Sequence, residues 1–354
     1  MKDSYLISTG GSGGHVIPAT ILYDHLAKEF NTIISIDKRG LKFLNQDTYQ
    51  FEVIDTPKLN NIFFLPYNLI IIFFLTLKSF LFLKKKKIKK IFSTGGYMSL
   101  PLILAAKLLK LKIYLIEPNQ VLGRANRYFL RYCKKIFCYS KDIKKFPDNF
   151  KNKIIKINPL VRESIYKLNL SNKINDKFTL LVVGGSQGAN IFDGNLKNTI
   201  VNISKKASIR IIQQTSEKNV SFLKNFYSKN NIENMIFCFD QNFAKYIQQA
   251  DLCITRAGAS ALAELSVLNI PFIAVPLPSS KDNHQLENAN FYQNKSCCWI
   301  IKQNSFEDEI EEYLKDIIEK KRDYSKKKEN LKKLNYQNTW INANQKIVRS
   351  INEN

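Results

Sequence analysis

Several residue groups in this 354-residue chain have the types and spacing to do chemistry. The first is Gly10-Gly11-Ser12-Gly13-Gly14-His15, directly after an apolar run. Its glycines permit a tight turn and close backbone approach. A helix opening there would offer unpaired N–H groups to an anion, which suits a phosphate or diphosphate. It is not a Walker A loop, because Gly-Lys-Ser/Thr is absent. The dinucleotide fingerprint fits poorly as well, since the acid it needs about 20 residues on falls near Asp37. His15 closes the loop, either as a general base or donor aimed at substrate or as a capping residue. A second turn, Gly184-Gly185-Ser186-Gln187-Gly188-Ala189, also follows an apolar run and precedes a helix. Two such turns imply two anionic groups held across one cleft.

Other polar clusters fall where strands should end. Thr94-Gly95-Gly96-Tyr97 and Glu117-Pro118-Asn119-Gln120 read as turns, or as ligand-facing residues at the carboxyl ends of parallel strands. Thr255-Arg256-Ala257-Gly258-Ala259-Ser260 ends a strand and starts a helix. Glu264, about one and a half turns along, is either a ribose ligand or a helix salt-bridge partner. Asp282-Asn283-His284-Gln285 with Asn288 is rich in paired donors and acceptors, as sugar hydroxyls require. His284 and Asn288 share one helix face. With three histidines in the chain and no zinc spacing among six cysteines, a metal centre is not expected.

These groups need elements to position them. Apolar runs at Tyr5–Thr9, Thr32–Ile36, Phe51–Ile54, Ile91–Ser93 and Ile113–Ile116 alternate with helix candidates at Ile17–Phe30 and Leu100–Leu109. That alternation predicts a parallel sheet covered by helices. The polar stretch Asn169–Lys177 reads as a linker. The pattern then restarts at Phe178–Val183, a continuous apolar strand as parallel cores require. Further strands are expected at Ile209–Gln213, Ile236–Phe239, Leu252–Thr255 and Phe272–Val275. The fold class is α/β, with two nucleotide-type domains in tandem. One spans 1–168 and the other 178–335, and a helix in 336–354 is expected to pack back toward the first. Glu307–Leu331 reads as a charged helical region, with Lys320, Lys321, Lys326, Lys327 and Lys328 on a solvated face.

Charge and hydropathy add a second layer. Lys and Arg number 54 and Asp and Glu 30, a net charge of +24 that attracts polyanions and anionic bilayers. No RNP-like, helix-turn-helix or finger spacing supports nucleic acid as the partner. No signal peptide opens the chain, so a cytoplasmic body is expected. In Ile62–Leu83, 17 of 22 residues are apolar or aromatic and only Lys78 is charged. Lys84, Lys85, Lys86, Lys87, Lys89 and Lys90 follow. Its length would permit a span. Pro66, Asn68 and Lys78 interrupt it, however, and the βα pattern continues on both sides. The expectation is a surface helix dipping into the bilayer, with the lysines of 62–90 on anionic headgroups.

Taken in order, the two glycine turns, Gly95-Gly96-Tyr97, Glu117-Pro118-Asn119, Arg256-Ala257-Gly258 with Glu264, and Asp282–Gln285 with Asn288 resemble the bacterial MurG family over essentially the whole chain. The family's His-Glu-Gln-Asn reads Ile116-Glu117-Pro118-Asn119 here. Its Gly-Asn-Pro-Val-Arg reads Ile157-Asn158-Pro159-Leu160-Val161-Arg162, with the arginine one residue later. The resemblance implies a GT-B fold of two Rossmann-like domains facing a cleft. It implies inverting transfer of N-acetylglucosamine from UDP-N-acetylglucosamine to the muramoyl 4-hydroxyl of lipid I, giving lipid II for peptidoglycan. It implies no cofactor and no bound metal. By resemblance, Ser186, Gln187, Gly188 and Arg162 lie near the donor diphosphate and Glu264 holds the ribose. His284, Gln285 and Asn288 lie near the donor sugar and its approach, and Arg256 is a further substrate-binding residue. Ser12, Gly13, Gly14, His15, Tyr97, Glu117 and Asn119 form the acceptor side, with His15, Glu117 and Asn119 as catalytic candidates. It further implies a peripheral protein on the cytoplasmic side of the inner membrane, meeting cell-wall synthesis and division proteins. A GT-B transferase for another lipid, a UDP-sugar epimerase and a basic membrane or RNA adaptor are the rival readings.

Overall fold

A computed structural model of the full chain describes residues 2–57, 63–168, 177–184, 190–194, 196–238, 240, 242–336 and 340–353. The chain divides into two compact units, Met1–Leu160 with Trp340–Asn354, and Val161–Thr339.

The first unit runs β1 (Ser4–Ser8), α1 (Gly13–Leu26), β2 (Asn31–Ile36), β3 (Phe51–Val53), α2 (Leu65–Lys85), β4 (Ile88–Ser93), α3 (Leu100–Leu108), β5 (Lys112–Glu117), α4 (Arg124–Phe129), β6 (Lys135–Cys138) and β7 (Ile154–Lys156). Its sheet has the order β3-β2-β1-β4-β5-β6-β7, and every neighbour pair is parallel. β1 is where the order reverses, so its carboxyl end opens a crevice between the loops after β2 and β4. The first glycine turn leaves that end. Gly10 and Gly11 make the turn with positive φ, so the helix begins at Gly13, earlier than the Ile17 expected, and ends at Leu26.

The second unit runs α5 (Glu163–Tyr166), β8 (Phe178–Val183), α6 (Asn190–Asp193), α7 (Leu196–Ser204), β9 (Ile209–Gln214), α8 (Glu217–Lys229), β10 (Glu233–Phe237), α9 (Ala244–Ile247), β11 (Leu252–Thr255), α10 (Ala259–Val267), β12 (Phe272–Ala274), α11 (His284–Gln293), β13 (Cys298–Ile300), α12 (Phe306–Lys320) and α13 (Arg322–Lys333). Its parallel sheet has the order β10-β9-β8-β11-β12-β13. Here β8 is the reversal strand, and Gly184 leaves its carboxyl end. The rest of the second turn, 185–189, lies outside the described residues, as do 169–176 of the expected linker.

Three expectations change. The boundary falls after Leu160 and not at 168, because Val161 and Ile165 are buried among Leu181, Phe243 and Leu262 of the second core. The region Glu307–Leu331 is two helices, broken where Lys321 adopts φ 42°. Lys327 is not on a solvated face: it is buried over the Trp299 ring, 4.6 Å from its centroid. The last helix, α14 (Trp340–Asn352), belongs to the first unit. Trp340 stacks on buried His25 of α1 at 3.7 Å, and Lys90 donates to the Ile351 carbonyl.

The helix α2 is inverted. Asn68, Ile72, Thr76, Ser79 and Leu83 form its buried stripe, so its uncharged polar residues Asn68, Thr76 and Ser79 face the protein while Lys78 is exposed. Phe63, just before it, and Phe64, Tyr67, Leu69, Ile70, Phe73, Phe74, Leu77 and Leu81 are exposed. Among the described residues it is the one helix long and apolar enough to cross a membrane. Lys84 and Lys85 in its last turn and Lys86, Lys87 and Lys89 after it are exposed, whereas Lys90 is half-buried.

Candidate functional site

In the first unit the candidate residues gather at the carboxyl ends of β1, β4 and β5. His15 sits in the first turn of α1, and its Nδ1 lies 2.8 Å from the Thr94 carbonyl at the end of β4. A carbonyl oxygen only accepts, so Nδ1 carries the hydrogen and Nε2 of the neutral ring carries the lone pair. That is the tautomer a base needs. The ring lies against Gly96, where a Cβ would come 3.8 Å from Cδ2. Gly95 and Gly96 have φ of 89° and 85°, a left-handed pair that glycine tolerates. Ser12 and His15 are half-buried, Gly13 is buried and Gly14 exposed.

Glu117 ends β5 and is buried. Its Oε1 accepts from the Asn119 amide N–H (3.2 Å) and Nδ2 (3.0 Å). Its Oε2 accepts from the Gly123 N–H (2.8 Å) and Asn126 Nδ2 (3.0 Å). Four donors occupy the carboxylate, so its geometry folds the 117–126 turn. Asn126 also lies against Gly95, which joins this turn to the one holding His15. Asn126 was not among the sequence candidates; its place in α4, nine residues after Glu117, gave no motif.

Tyr97 is held by Arg39, whose Nη1 donates to the phenol oxygen. Burial raises the Tyr97 hydroxyl above its ordinary value against the lowering pull of Arg39. Arg39 in turn donates to Asp37 Oδ2. Asp37 is fully buried, and its Oδ1 accepts from the Gly11 N–H (2.7 Å) and Gly40 N–H (3.0 Å). Its oxygens are committed to the turn, which removes the ribose reading that the dinucleotide fingerprint would give it.

In the second unit, Arg162 and Glu264 meet. The guanidinium donates from Nε to Oε1 (2.7 Å) and from Nη2 to Oε2 (2.8 Å), a bidentate pair around a buried carboxylate. The Glu264 carboxylate pairs with a residue 102 positions away in the chain and not with one of its own helix. Arg256 leaves β11 and donates to the Val275 carbonyl (3.1 Å) and to Gln303 Oε1 (2.7 Å). Burial lowers its pKa from the ordinary arginine value. Gln303, in the turn before α12, was not seen in sequence. Asn288 donates to the Ala257 carbonyl (3.1 Å), and Gln285 accepts from the Leu277 N–H (2.9 Å). Both amides thus tie α11 to neighbouring strand-end loops. His284 Nδ1 lies 2.8 Å from the Lys281 carbonyl, after Asp282 and Asn283 in left-handed conformation. Ser186, Gln187 and Gly188 lie outside the described residues. Among the described residues no three His, Cys, Asp or Glu side chains form a metal-ligand group.

Two parallel sheets of this order, the first with a glycine turn leaving its reversal strand, define the GT-B class of nucleotide-sugar proteins. A MurG from Acinetobacter baumannii superposes with TM-score 0.75 at 23% identity, covering 100% of both chains. A UDP-GlcNAc 2-epimerase from Neisseria meningitidis, solved with UDP-GlcNAc, gives 0.67 at 14% identity, over 99% of this chain and 100% of that one. These likenesses show the fold. The glycosyltransferase family 28 N-terminal domain matches residues 5–138, and its C-terminal domain matches 179–339. A Pelagibacter ubique protein named UDP-N-acetylglucosamine–N-acetylmuramyl-(pentapeptide) pyrophosphoryl-undecaprenol N-acetylglucosamine transferase is 48% identical over 100% of both chains. A Rickettsia canadensis protein of the same name is 37% identical, over 86% of this chain and 87% of its own. The chain belongs to the MurG family, within glycosyltransferase family 28.

Proposed function

We propose that this chain transfers N-acetylglucosamine from UDP-N-acetylglucosamine to the muramoyl 4-hydroxyl of lipid I, releasing UDP and lipid II for peptidoglycan synthesis. The observation that carries the chemistry is His15, whose Nδ1–H is fixed on the Thr94 carbonyl. Its Nε2 takes the hydroxyl proton as the acceptor oxygen bonds to C1 of the sugar. The bond from C1 to the UDP oxygen breaks on the opposite face, so the anomeric centre inverts. Asn119, set by Glu117, and Tyr97 orient the acceptor. In the second unit Ser186, Gln187 and Gly188, by resemblance, meet the charge that develops on UDP. Arg162 and Glu264 shape the nucleotide subsite.

The test is UDP release from UDP-N-acetylglucosamine, with and without a soluble lipid I analogue and with chelator present. Acceptor-dependent, chelator-resistant release is expected. His15→Ala should lower turnover by about 10²–10⁴-fold with UDP affinity kept. Acceptor-free conversion of UDP-N-acetylglucosamine into an epimeric UDP-sugar would favour the epimerase reading instead, and unchanged turnover would remove the base.

The inverted face of α2 supports a membrane role. Exposed Phe, Leu and Ile over buried Asn and Ser suit an apolar exterior. Lys84–Lys87 beside it suit anionic headgroups, each adding about 1 kcal/mol. On this reading the protein is peripheral, on the cytoplasmic face of the inner membrane, where lipid I presents its sugar. Proteins of wall synthesis, cell shape and division are the partners that surface would meet. Phe73, Phe74 and Leu77 changed to serine should abolish binding to anionic vesicles and spare activity on the soluble analogue. Leu75 is left intact because it packs against the core.

A further inference from the structure

One buried carboxylate joins three loops of the first unit. Asp37 binds the Gly11 N–H of the β1–α1 turn and the Gly40 N–H that follows β2. A Cβ at Gly10 would collide with its Oδ1, so the glycine there makes room for the carboxylate. A buried charge needs pairing, and Arg39 supplies it through Nε, 2.7 Å from Oδ2, and Nη2. That anchoring fixes the guanidinium plane and aims Nη1 at the Tyr97 hydroxyl in the β4–α3 turn. The Arg39 side chain is about one-third exposed, at 34%. It therefore acts at the edge of the site and not in the core. A phenol that accepts from a guanidinium keeps its own hydrogen to donate. Arg39 thus presents Tyr97 as a donor toward a sugar or phosphate oxygen.

We propose that Arg39, anchored by Asp37, is a positioning residue for the acceptor. It locks the Gly10–Gly11 turn to the Gly96–Tyr97 turn and sets the Tyr97 hydroxyl. The proposal rests on the reading of His15 and Tyr97 as the acceptor side. A merely structural arginine would lower stability and both substrates' constants together. A positioning one moves acceptor kcat/KM through Tyr97 alone.

The experiment is a double-mutant cycle of Arg39→Gln and Tyr97→Phe. It is read as kcat/KM for a soluble lipid I analogue, with UDP affinity measured by calorimetry. Arg39→Gln should cost between about tenfold and about a hundredfold in acceptor kcat/KM, as small misplacements do. UDP affinity should not change. Once Tyr97 is Phe, the second change should cost nothing further. Equal losses in both backgrounds, or a matching loss of UDP affinity, would overturn the proposal. Amide exchange reads the same coupling without substrate: Arg39→Gln should speed exchange in 10–14 and 95–99 and leave α3 protected. If the wild type shows no acceptor-dependent UDP release, the functional reading fails alone. The exchange result then decides the positioning claim, and unchanged exchange in those two segments sinks it.

Discussion

Glu117 in the first unit and Glu264 in the second are alike in burial, at 3% and 2% exposure. They are balanced in opposite ways. Glu117 spends its oxygens on four N–H donors, all within nine residues of it in the chain. Glu264 faces one guanidinium from Arg162. A carboxylate spread over many neutral donors loses little when one leaves. A carboxylate balanced by a single cation is stranded when that cation is removed. The first unit therefore has a turn clamped by local hydrogen bonds, and the second has a site whose charge balance hangs on one side chain.

The sharpest way to break this contrast is Arg162→Ala. It leaves Glu264 charged and buried, which should cost the second unit about 3–5 kcal/mol. The pair Arg162→Met with Glu264→Leu should recover most of that, because apolar isosteres need no partner. The chain has two tryptophans, Trp299 in the second unit and Trp340 in the first. Urea unfolding followed through Trp299, with Trp340→Phe, reads the second unit; the converse variant reads the first. A loss under about 1 kcal/mol would put the pair with ordinary surface bridges and end the contrast.

Acid distinguishes the units next. Burial beneath Trp340 lowers the His25 imidazole from its ordinary 6.5 to about 3. Between those values the unfolded chain holds a proton at His25 that the folded unit does not. Stability present above pH 6.5 is therefore lost as the pH falls through that window. The slope approaches about 1.4 kcal/mol per pH unit. Trp340 should report this loss from the first unit, and His25→Phe should flatten it. The Trp299 signal follows the second unit through the same titration. A Trp340 midpoint that does not move between pH 6 and pH 5 would refute the burial argument.

The reach of sequence reading follows the same physics. Strands with continuous apolar runs, such as Phe178–Val183, were legible because burial on both faces leaves its mark in composition. β6 and β7 were not, since Lys135–Cys138 and Ile154–Lys156 are too short and lysine-flanked to show a run. Glycine turns were legible because φ and close approach select the residue type. The partners of Asp37, Glu117 and Glu264 were not, because what occupies a carboxylate depends on loops brought together by the sheet. Asp37 resembled a ribose ligand at its distance from the glycine turn, yet the fold commits it to Gly11, Gly40 and Arg39. The lysines of Lys84–Lys90 read as one cluster for anionic headgroups, but Lys90 turns toward the Tyr5 ring and the end of α14.

Glu117→Gln tests the clamped side of the contrast. The glutamine keeps one acceptor oxygen and places an NH₂ where two donors converge. The expected cost is about 1–3 kcal/mol, smaller than that of Arg162→Ala and confined to the Trp340 signal. A larger loss, or one reported by Trp299, would show that Glu117 does more than hold its own turn.

The smallest effect is expected at Gly258, and it separates the two units at the level of single glycines. Gly10 has positive φ and abuts the Asp37 carboxylate, so no side chain fits. Gly258 has φ −72° and ψ 135° at the N-cap of α10, and a Cβ there meets nothing within 4 Å. Alanine is a poorer N-cap than glycine, which weakens α10. Alanine also narrows the unfolded ensemble, which stabilises by about 0.4–1 kcal/mol where the backbone suits it. The two nearly cancel, so Gly258→Ala should shift stability by no more than about 0.5 kcal/mol. Its value lies in UDP binding. If the glycine is there only to start the helix, affinity survives the change. If the donor approaches the backbone at this turn, the added methyl weakens UDP binding while the Trp299 unfolding midpoint stays in place, and close approach, not helix capping, becomes the reason for glycine at this position.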